Sequence, residues 1–257
     1  MTTFDPRDVK VSIGGVKLEP WHELPRIVVV STAANQPEAA RRCAQSVARD
    51  EHDGHYFAAP DCATEREAQA YGATTVPDRG SQIGNLVGII SEIPPDTIVI
   101  HLDGDDEITP GAVARVEQEY EDQNVWLTYG SFRRSDGVRD RAWHEPFGMR
   151  YGSRPRQERW RASHLRTFRA GLFHAIPRSY LIDPQTGSYF RTCVDRAIML
   201  PMIEMAGERY SVIQDVLCIY NYDHDRSMTE AERAEESRTR NAVHGMTALA
   251  PLDYRPW

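Results

Sequence analysis

The chain has 257 residues, 40 % apolar and 26 % charged, with 30 Lys+Arg against 38 Asp+Glu and a formal net charge of −8. That composition excludes a disordered, collagen-like or coiled-coil chain, and the length allows one large domain or two small ones with a substantial core. No window approaches the roughly 18 uninterrupted apolar residues of a membrane span, and the opening segment lacks a signal-peptide core, so a cytoplasmic protein without a transmembrane segment is expected.

Residues 1–25 carry Pro6, Pro20 and Pro25 and read as an extended arm. Organisation begins at Arg26. The β-branched run Arg26-Ile-Val-Val-Val-Ser-Thr has the pattern of a strand buried on both faces of a parallel sheet. A helix is expected from Pro37 to Arg49, since proline suits a first helical turn and strong helix formers follow. Then come a weaker strand from His55, ending before Pro60-Asp61, a helical stretch from Thr64 to Tyr71, a short extended piece at Val76, and a helix from Ile83 to Glu92.

Asp96-Thr-Ile-Val-Ile-His-Leu-Asp is the clearest second buried strand and runs into Asp103-Gly-Asp-Asp. A helix over 111–123 and a strand from Val125 to Tyr129 follow. Further on, the stretch from Thr229 to Asn241 predicts a surface helix, and Leu252 to Trp257 a tail, docked or loose. Alternating strands and helices predict an α/β fold with a central, mainly parallel sheet flanked by helices.

Four cysteines, Cys43, Cys62, Cys193 and Cys218, are widely spaced, without a C-x-x-C pair, and are expected to be reduced, mostly buried thiols. The charge is uneven. Between Ser131 and Ala170 stand eleven arginines and four acids, whereas the rest of the chain has 19 basic and 34 acidic residues. An acidic body with one basic band suggests either a solvated face or a site for an anionic partner.

In open parallel sheets a ligand site forms at the carboxyl ends of the strands. Asp61 and the cluster Asp103, Asp105 and Asp106 fall at such ends. Three carboxylates within four residues repel one another unless water or a cation intervenes, and oxygen ligands of this kind suit Mg²⁺ or Mn²⁺. A solvated acidic turn is the alternative.

The run Arg26 to Thr32, Asp61 after the second strand, Gly84-Asn85 on the next helix, and Ile98-Val-Ile-His-Leu-Asp-Gly-Asp-Asp together resemble the nucleotide-sugar half of family 2 glycosyltransferases with the GT-A fold. The resemblance covers roughly residues 26–225. It implies a GT-A domain with a nucleotide-sugar half, 26–130, and an acceptor half, 131–225, followed by a C-terminal helix and tail, 226–257. It also implies that the first strand and its loop, with Ser31 and Thr32, receive the nucleotide base, that Asp61 contacts that base, that Asn85 belongs to the donor site, that Asp103 faces the ribose and that Asp105 binds the metal. The loop Ser31-Thr-Ala-Ala-Asn departs from the family's usual Pro-Thr-Tyr-Asn-like sequence.

By the same resemblance Asp195 is the base for the acceptor hydroxyl, with Val194 where the family usually has Glu; helix capping is the ordinary explanation for an Asp in that place. His224 falls where a histidine completes the metal shell or contacts the diphosphate, and Arg226 and Ser227 offer phosphate contacts. Trp160, His164 and Arg166 fall in the acceptor-shaping region, where Phe168, Leu172 and Phe173 read as core.

The expected activity is metal-dependent, inverting transfer of a sugar, with a UDP-sugar as donor, to a hydroxyl of a glycan or lipid-linked saccharide or of a hydroxymethylated base in DNA. A non-catalytic nucleotide- or polyanion-binding module is the rival from another class. A nucleotidyltransferase comes third, because residues 31–36 lack the glycines and basic residues of a triphosphate loop.

Overall fold

A computed structural model describes residues 12–13, 16–17, 24–33, 35–137, 155–222 and 228–257. A two-residue hairpin pair, β1 (Ser12–Ile13) and β2 (Val16–Lys17), precedes the main sheet. The main sheet contains β3 (Ile27–Thr32), β4 (His55–Ala58), β5 (Thr74–Val76), β6 (Ile98–Asp103), β7 (Glu107–Ile108), β8 (Leu127–Arg134), β9 (Ser163–Arg169) and β10 (Tyr210–Tyr220) in the spatial order β5-β4-β3-β6-β9-β8-β10-β7. The helices are α1 (Pro37–Val47), α2 (Cys62–Gln69), α3 (Gln82–Ile90), α4 (Ala112–Glu119), α5 (Ala170–His174), α6 (Val194–Ala206) and α7 (Glu230–Gly245).

The first four strands of the sheet order are parallel, as the β-branched runs predict: β3 pairs in parallel with β4 and β6, and β4 with β5. Side chains alternate along β3. Ile27 and Val29 enter one core with Cys43 and Val47 of α1, and Val28 and Val30 enter the other with Ile83 and Leu86 of α3. That alternation is the two-residue period of a strand covered on both faces.

The sequence reading missed β9. Residues 163–169 read as part of a basic acceptor-shaping band, yet all seven are buried, and the strand lies antiparallel between β6 and β8. Leu165 and Phe168 point into opposite cores, which stabilises the strand although histidine and arginine stand beside them. Also unanticipated was the length of β10, which lies between β8 and β7 and runs parallel to β8 with register shifts between Val212 and Val216 and between Val216 and Cys218.

Element ends differ by a few residues. The helix expected over 111–123 is α4, and Gly111 before it, at φ 80°, has no side chain to cap it. Asp50 caps instead, accepting from the Gly111 and Val113 N–H groups at 3.0 Å each. The C-terminal tail is docked: the Leu252 N–H donates to the Met205 carbonyl, and Trp257 lies edge-on to Trp126 with ring centroids 5.3 Å apart. No helix among the described residues is long and apolar enough to cross a membrane.

Three arginines of the basic band are consumed inside the fold. Arg156 forms a two-pronged pair with Glu204 and donates to the Val243 carbonyl, Arg169 donates to the carbonyls of Val125 and Asp96, and Arg166 pairs with Asp103. Arg139, Arg141, Arg150 and Arg154 lie outside the described residues.

Candidate active site

The strands β3 and β6 end together, with Thr32 opposite Asp103 in parallel register. Beyond that edge opens a cleft of about 600 Å³. Its walls come from the β3 end (Thr32, Ala33), the start of α3 (Ser81, Gln82, Asn85), the Asp103–Asp105 turn, His164 and Arg166 of β9, and the residues leading into α6, including Asp195. Residues more than 160 positions apart in sequence thus meet at one end of one sheet.

Gly104 makes the turn possible. Its N–H donates to the Thr32 carbonyl at 2.9 Å, and a Cβ there would stand 2.8 Å from that oxygen and 2.7 Å from the Ala33 Cβ. Only glycine lets the two strand ends approach so closely.

Asp103 has both carboxylate oxygens engaged: Gln82 Nε2 donates to Oδ1 at 3.0 Å, and Arg166 Nη2 donates to Oδ2. Burial opposes its ionisation, but the Arg166 guanidinium beside it holds the carboxyl well below the usual carboxylate range. Asp105 lines the cleft next to it. Arg166 is 3 % exposed and its Nη1 lies 3.9 Å from Asp195 Oδ2. Asp195 stands in the first turn of α6, whose N-cap, Cys193, supplies no side-chain cap, and it lines the cleft.

A second layer sits beneath. Asp106 is fully buried; its Oδ1 accepts from the Asn221 N–H at 2.8 Å and its Oδ2 lies 3.3 Å from His164 Nδ1. Burial, then the charges of Asp103 and Asp105, push the Asp106 carboxyl well above its usual range, while burial and the Arg166 charge bring His164 down to about 3. Burial thus favours the neutral form of both groups. Asp106, His164 and Cys218 bring possible ligand atoms within 4.8 Å of one another. That buried set could hold a metal ion, but the Arg166 guanidinium, 3.3 Å from His164 Nδ1, opposes a cation there.

The structure sorts the residues singled out from sequence. Thr32, Asn85, Asp103, Asp105, His164, Arg166 and Asp195 line the cleft. Ser31 does not: it is fully buried between β3 and α1, with its Oγ 3.0 Å from His55 Nε2 and 3.8 Å from Cys43 Sγ. Asp61 is the N-cap of α2, accepting from the Ala63 and Thr64 N–H groups; the cleft there is lined by Pro60. Trp160 is 7 % exposed in the core, with the Arg196 guanidinium 4.9 Å above its ring, and is not among the lining residues. His224, Arg226 and Ser227 lie outside the described residues.

The sequence reading missed Gln82 and Asp78. Asp78 accepts from Asn85 Nδ2 at 2.8 Å and from the Gly80 N–H at 3.2 Å, while Asn85 Oδ1 accepts from the Arg79 N–H at 2.6 Å. Asn85 therefore fixes the 78–80 turn that walls the cleft. A buried asparagine on the apolar helix α3, which has mean burial of seven in nine residues, is the signal that could have found it.

For a divalent ion the donor set fits. Asp103 is paired with Arg166, Asp105 lines the cleft beside it, and the buried Thr32 Oγ1 has no hydrogen-bond partner. Hard oxygen donors of this sort match Mg²⁺ or Mn²⁺.

The sequence matches no family model and no curated protein. The fold matches solved structures of GT-A-type glycosyltransferases. TarS of S. aureus aligns at TM-score 0.59 with 11 % identity, over 84 % of this chain and 39 % of that one. The mannosyltransferase PcManGT of Pyrobaculum calidifontis, in complex with GDP-Man and Mn²⁺, aligns at TM-score 0.57 with 14 % identity, over 88 % and 66 %. Glucosyl-3-phosphoglycerate synthase of Mycobacterium tuberculosis, in complex with Mg²⁺ and UDP, aligns at TM-score 0.57 with 16 % identity, over 87 % and 80 %. The chain thus spans about two fifths of that TarS chain, and the likeness at these identities is one of fold.

Proposed function

We propose that this chain, folded as a GT-A-type glycosyltransferase, moves a sugar from a nucleoside diphosphate sugar, UDP-linked, to a hydroxyl group with the help of Mn²⁺ or Mg²⁺. The observation that carries this reading is the convergence of Asp103, Asp105 and Asp195, from two separate elements, on one cleft at the carboxyl end of the sheet. The solved relatives in fold support it: TarS was crystallised with UDP and with UDP-GlcNAc, PcManGT with GDP-Man and Mn²⁺, and the mycobacterial synthase with Mg²⁺ and UDP.

In this reading Asp103, held by Gln82 and Arg166, faces the ribose, and Asp105, with Thr32 near, holds the ion. When bound, the ion supplies charge neutralisation for the departing diphosphate. Thr32 and Asn85 shape the nucleotide end. Asp195 accepts the acceptor's hydroxyl proton as that oxygen bonds to the anomeric carbon and the bond from that carbon to the diphosphate oxygen breaks. Attack on the face opposite the leaving group inverts the anomeric centre. A base placed this way is worth about 10²–10⁴ in rate.

The acceptor is a saccharide hydroxyl. A hydroxymethylated DNA base has less support, because Arg156, Arg166 and Arg169 of the basic band are buried and paired within the fold and so give no phosphate-binding face.

The test is donor hydrolysis across a panel of UDP-, GDP- and dTDP-sugars, with and without Mn²⁺, read by release of the nucleoside diphosphate. Release from one or more donors that stops on chelation and returns with Mn²⁺ supports the reading. Release from none overturns it.

A further inference from the structure

Resting on the sugar-transfer reading, we propose that Arg166 is a positioning residue, which spans the cleft floor between Asp103 and Asp195 and sets the placement of both carboxylates. Asp103 closes β6 and Asp195 opens α6, 92 positions later and in a different layer. No backbone pairing joins those two ends. Arg166 does: its Nη2 donates to Asp103, and its Nη1 lies 3.9 Å from Asp195.

Arg166 itself is fixed from both sides. It stands on β9, whose neighbours are β6 and β8, and its backbone is opposite His101 in register. A cation that is 3 % exposed loses its hydration at a cost of several kcal/mol unless acids repay it. Two carboxylates do so here, and for Asp195 Arg166 is the one cation within 4.0 Å among the described residues.

The two contacts differ in kind, and the difference suits the two acids. Asp103 receives a hydrogen bond that consumes a lone pair, as befits a group whose task is to stay charged and still. Asp195 receives only an ion pair at 3.9 Å, beyond hydrogen-bond length. Its lone pairs remain available for an acceptor proton while the charge of Arg166 holds the side chain over the cleft. A planar guanidinium can address two acids with two terminal nitrogens in one fixed geometry; the ammonium of a lysine is a single point charge.

The experiment compares the full-length chain with Arg166→Lys and Arg166→Gln, measuring kcat and KM for donor hydrolysis with Mn²⁺ on the same panel of nucleoside diphosphate sugars, together with Tm. Arg169→Lys is the control, since Arg169 is a buried arginine of the same strand held by backbone carbonyls away from the cleft. A displacement on the scale of 1 Å costs about 10²-fold, so Arg166→Lys is expected to lose about 10–100-fold in kcat with KM changed less than about 3-fold, and Arg166→Gln to lose more. Arg169→Lys is expected to lower Tm and leave kcat unchanged. In an Asp195→Asn background, Arg166→Lys should cost less than it does in the wild-type chain, since only the part acting through Asp103 remains.

Arg166→Lys with wild-type kcat, or with a Tm loss like that of the control and no kcat loss, overturns the positioning role. So does an undiminished effect in the Asp195→Asn background, which remains readable even if Arg166→Gln does not fold. Failure of the wild-type chain to turn over any donor is a different result, and overturns the sugar-transfer reading itself.

Discussion

Gly104 donates its backbone N–H to the carbonyl oxygen of Thr32 across 2.9 Å, and this one bond seals the ends of β3 and β6 beside the acidic turn. Since a Cβ at position 104 would stand 2.8 Å from the Thr32 oxygen and 2.7 Å from the Ala33 Cβ, Gly104→Ala must force the strand ends apart. We expect a stability loss of about 1–3 kcal/mol, and a larger relative loss of UDP binding with Mn²⁺, because Asp103 and Asp105 flank the displaced residue. Calorimetric titration beside thermal melts checks this; unchanged UDP affinity in the folded variant would contradict it.

Asp195→Asn keeps the shape of the side chain and removes its basicity. Donor binding, measured with UDP and Mn²⁺, should stay within a few-fold, while kcat should fall by about 10²–10⁴. A non-catalytic binding module would show no turnover to lose, and full activity in the variant would remove Asp195 from the chemistry.

Acid should weaken the fold through buried histidines. His55 is pushed down to about 3 by burial, with the neighbouring His52 adding a smaller effect, and its Nε2 lies 3.0 Å from Ser31 Oγ. A histidine whose pKa is depressed on folding gives full stability above its unfolded value of about 6.5 and loses it as pH falls toward the folded value, at about 1.4 kcal/mol per pH unit. His55→Gln, even if less stable at pH 7, should therefore show a shallower decline of urea midpoint between about pH 6.5 and about pH 3. Parallel profiles for the two proteins would show that His55 is protonated in the native state.

Deep in the second half, Arg156 and Glu204 form a buried pair, and Glu204 Oε2 also accepts from the Leu249 N–H at 3.1 Å. Removing one partner strands a charge in the core, so Arg156→Met should cost about 3–5 kcal/mol, and the double variant Arg156→Met/Glu204→Leu less than the sum of the singles. Denaturant unfolding of the three variants measures the coupling. The pair ties the chain entering β9 to α6, so its loss should also lower activity in proportion to unfolding, and no further.

Much of the first half of the sheet was legible because its signals are local. The run Ile27–Thr32 and the run Ile98–Asp103 are dense in β-branched residues, and the acidic turn follows the second of them directly. The strand β9 was not legible in the same way. Ser163–Arg169 alternates histidine, arginine and threonine with only two large apolar side chains, so periodicity alone reads it as polar surface. Its burial depends on partners far away: Asp103 for Arg166, Asp106 for His164, and Tyr120 and Thr128 for Thr167. Pattern alone does not say that Asp61 caps α2 or that Ser31 and Trp160 are buried, and Ser31 and Asp61 sit next to the cleft residues Thr32 and Pro60 in sequence.

What the sequence by itself determined is the alternation of buried strands and helices, the parallel pairing around β3 and the placing of an acidic turn at a strand's carboxyl end, all consequences of side-chain pattern over a few residues. Only the tertiary structure decided which acids face the cleft, which arginines are spent inside, and that Asp103 and Asp195 share Arg166. The reason is physical: whether a charge is solvated, paired or poised depends on the dielectric and the neighbours that surround it, and those neighbours come from remote parts of the chain.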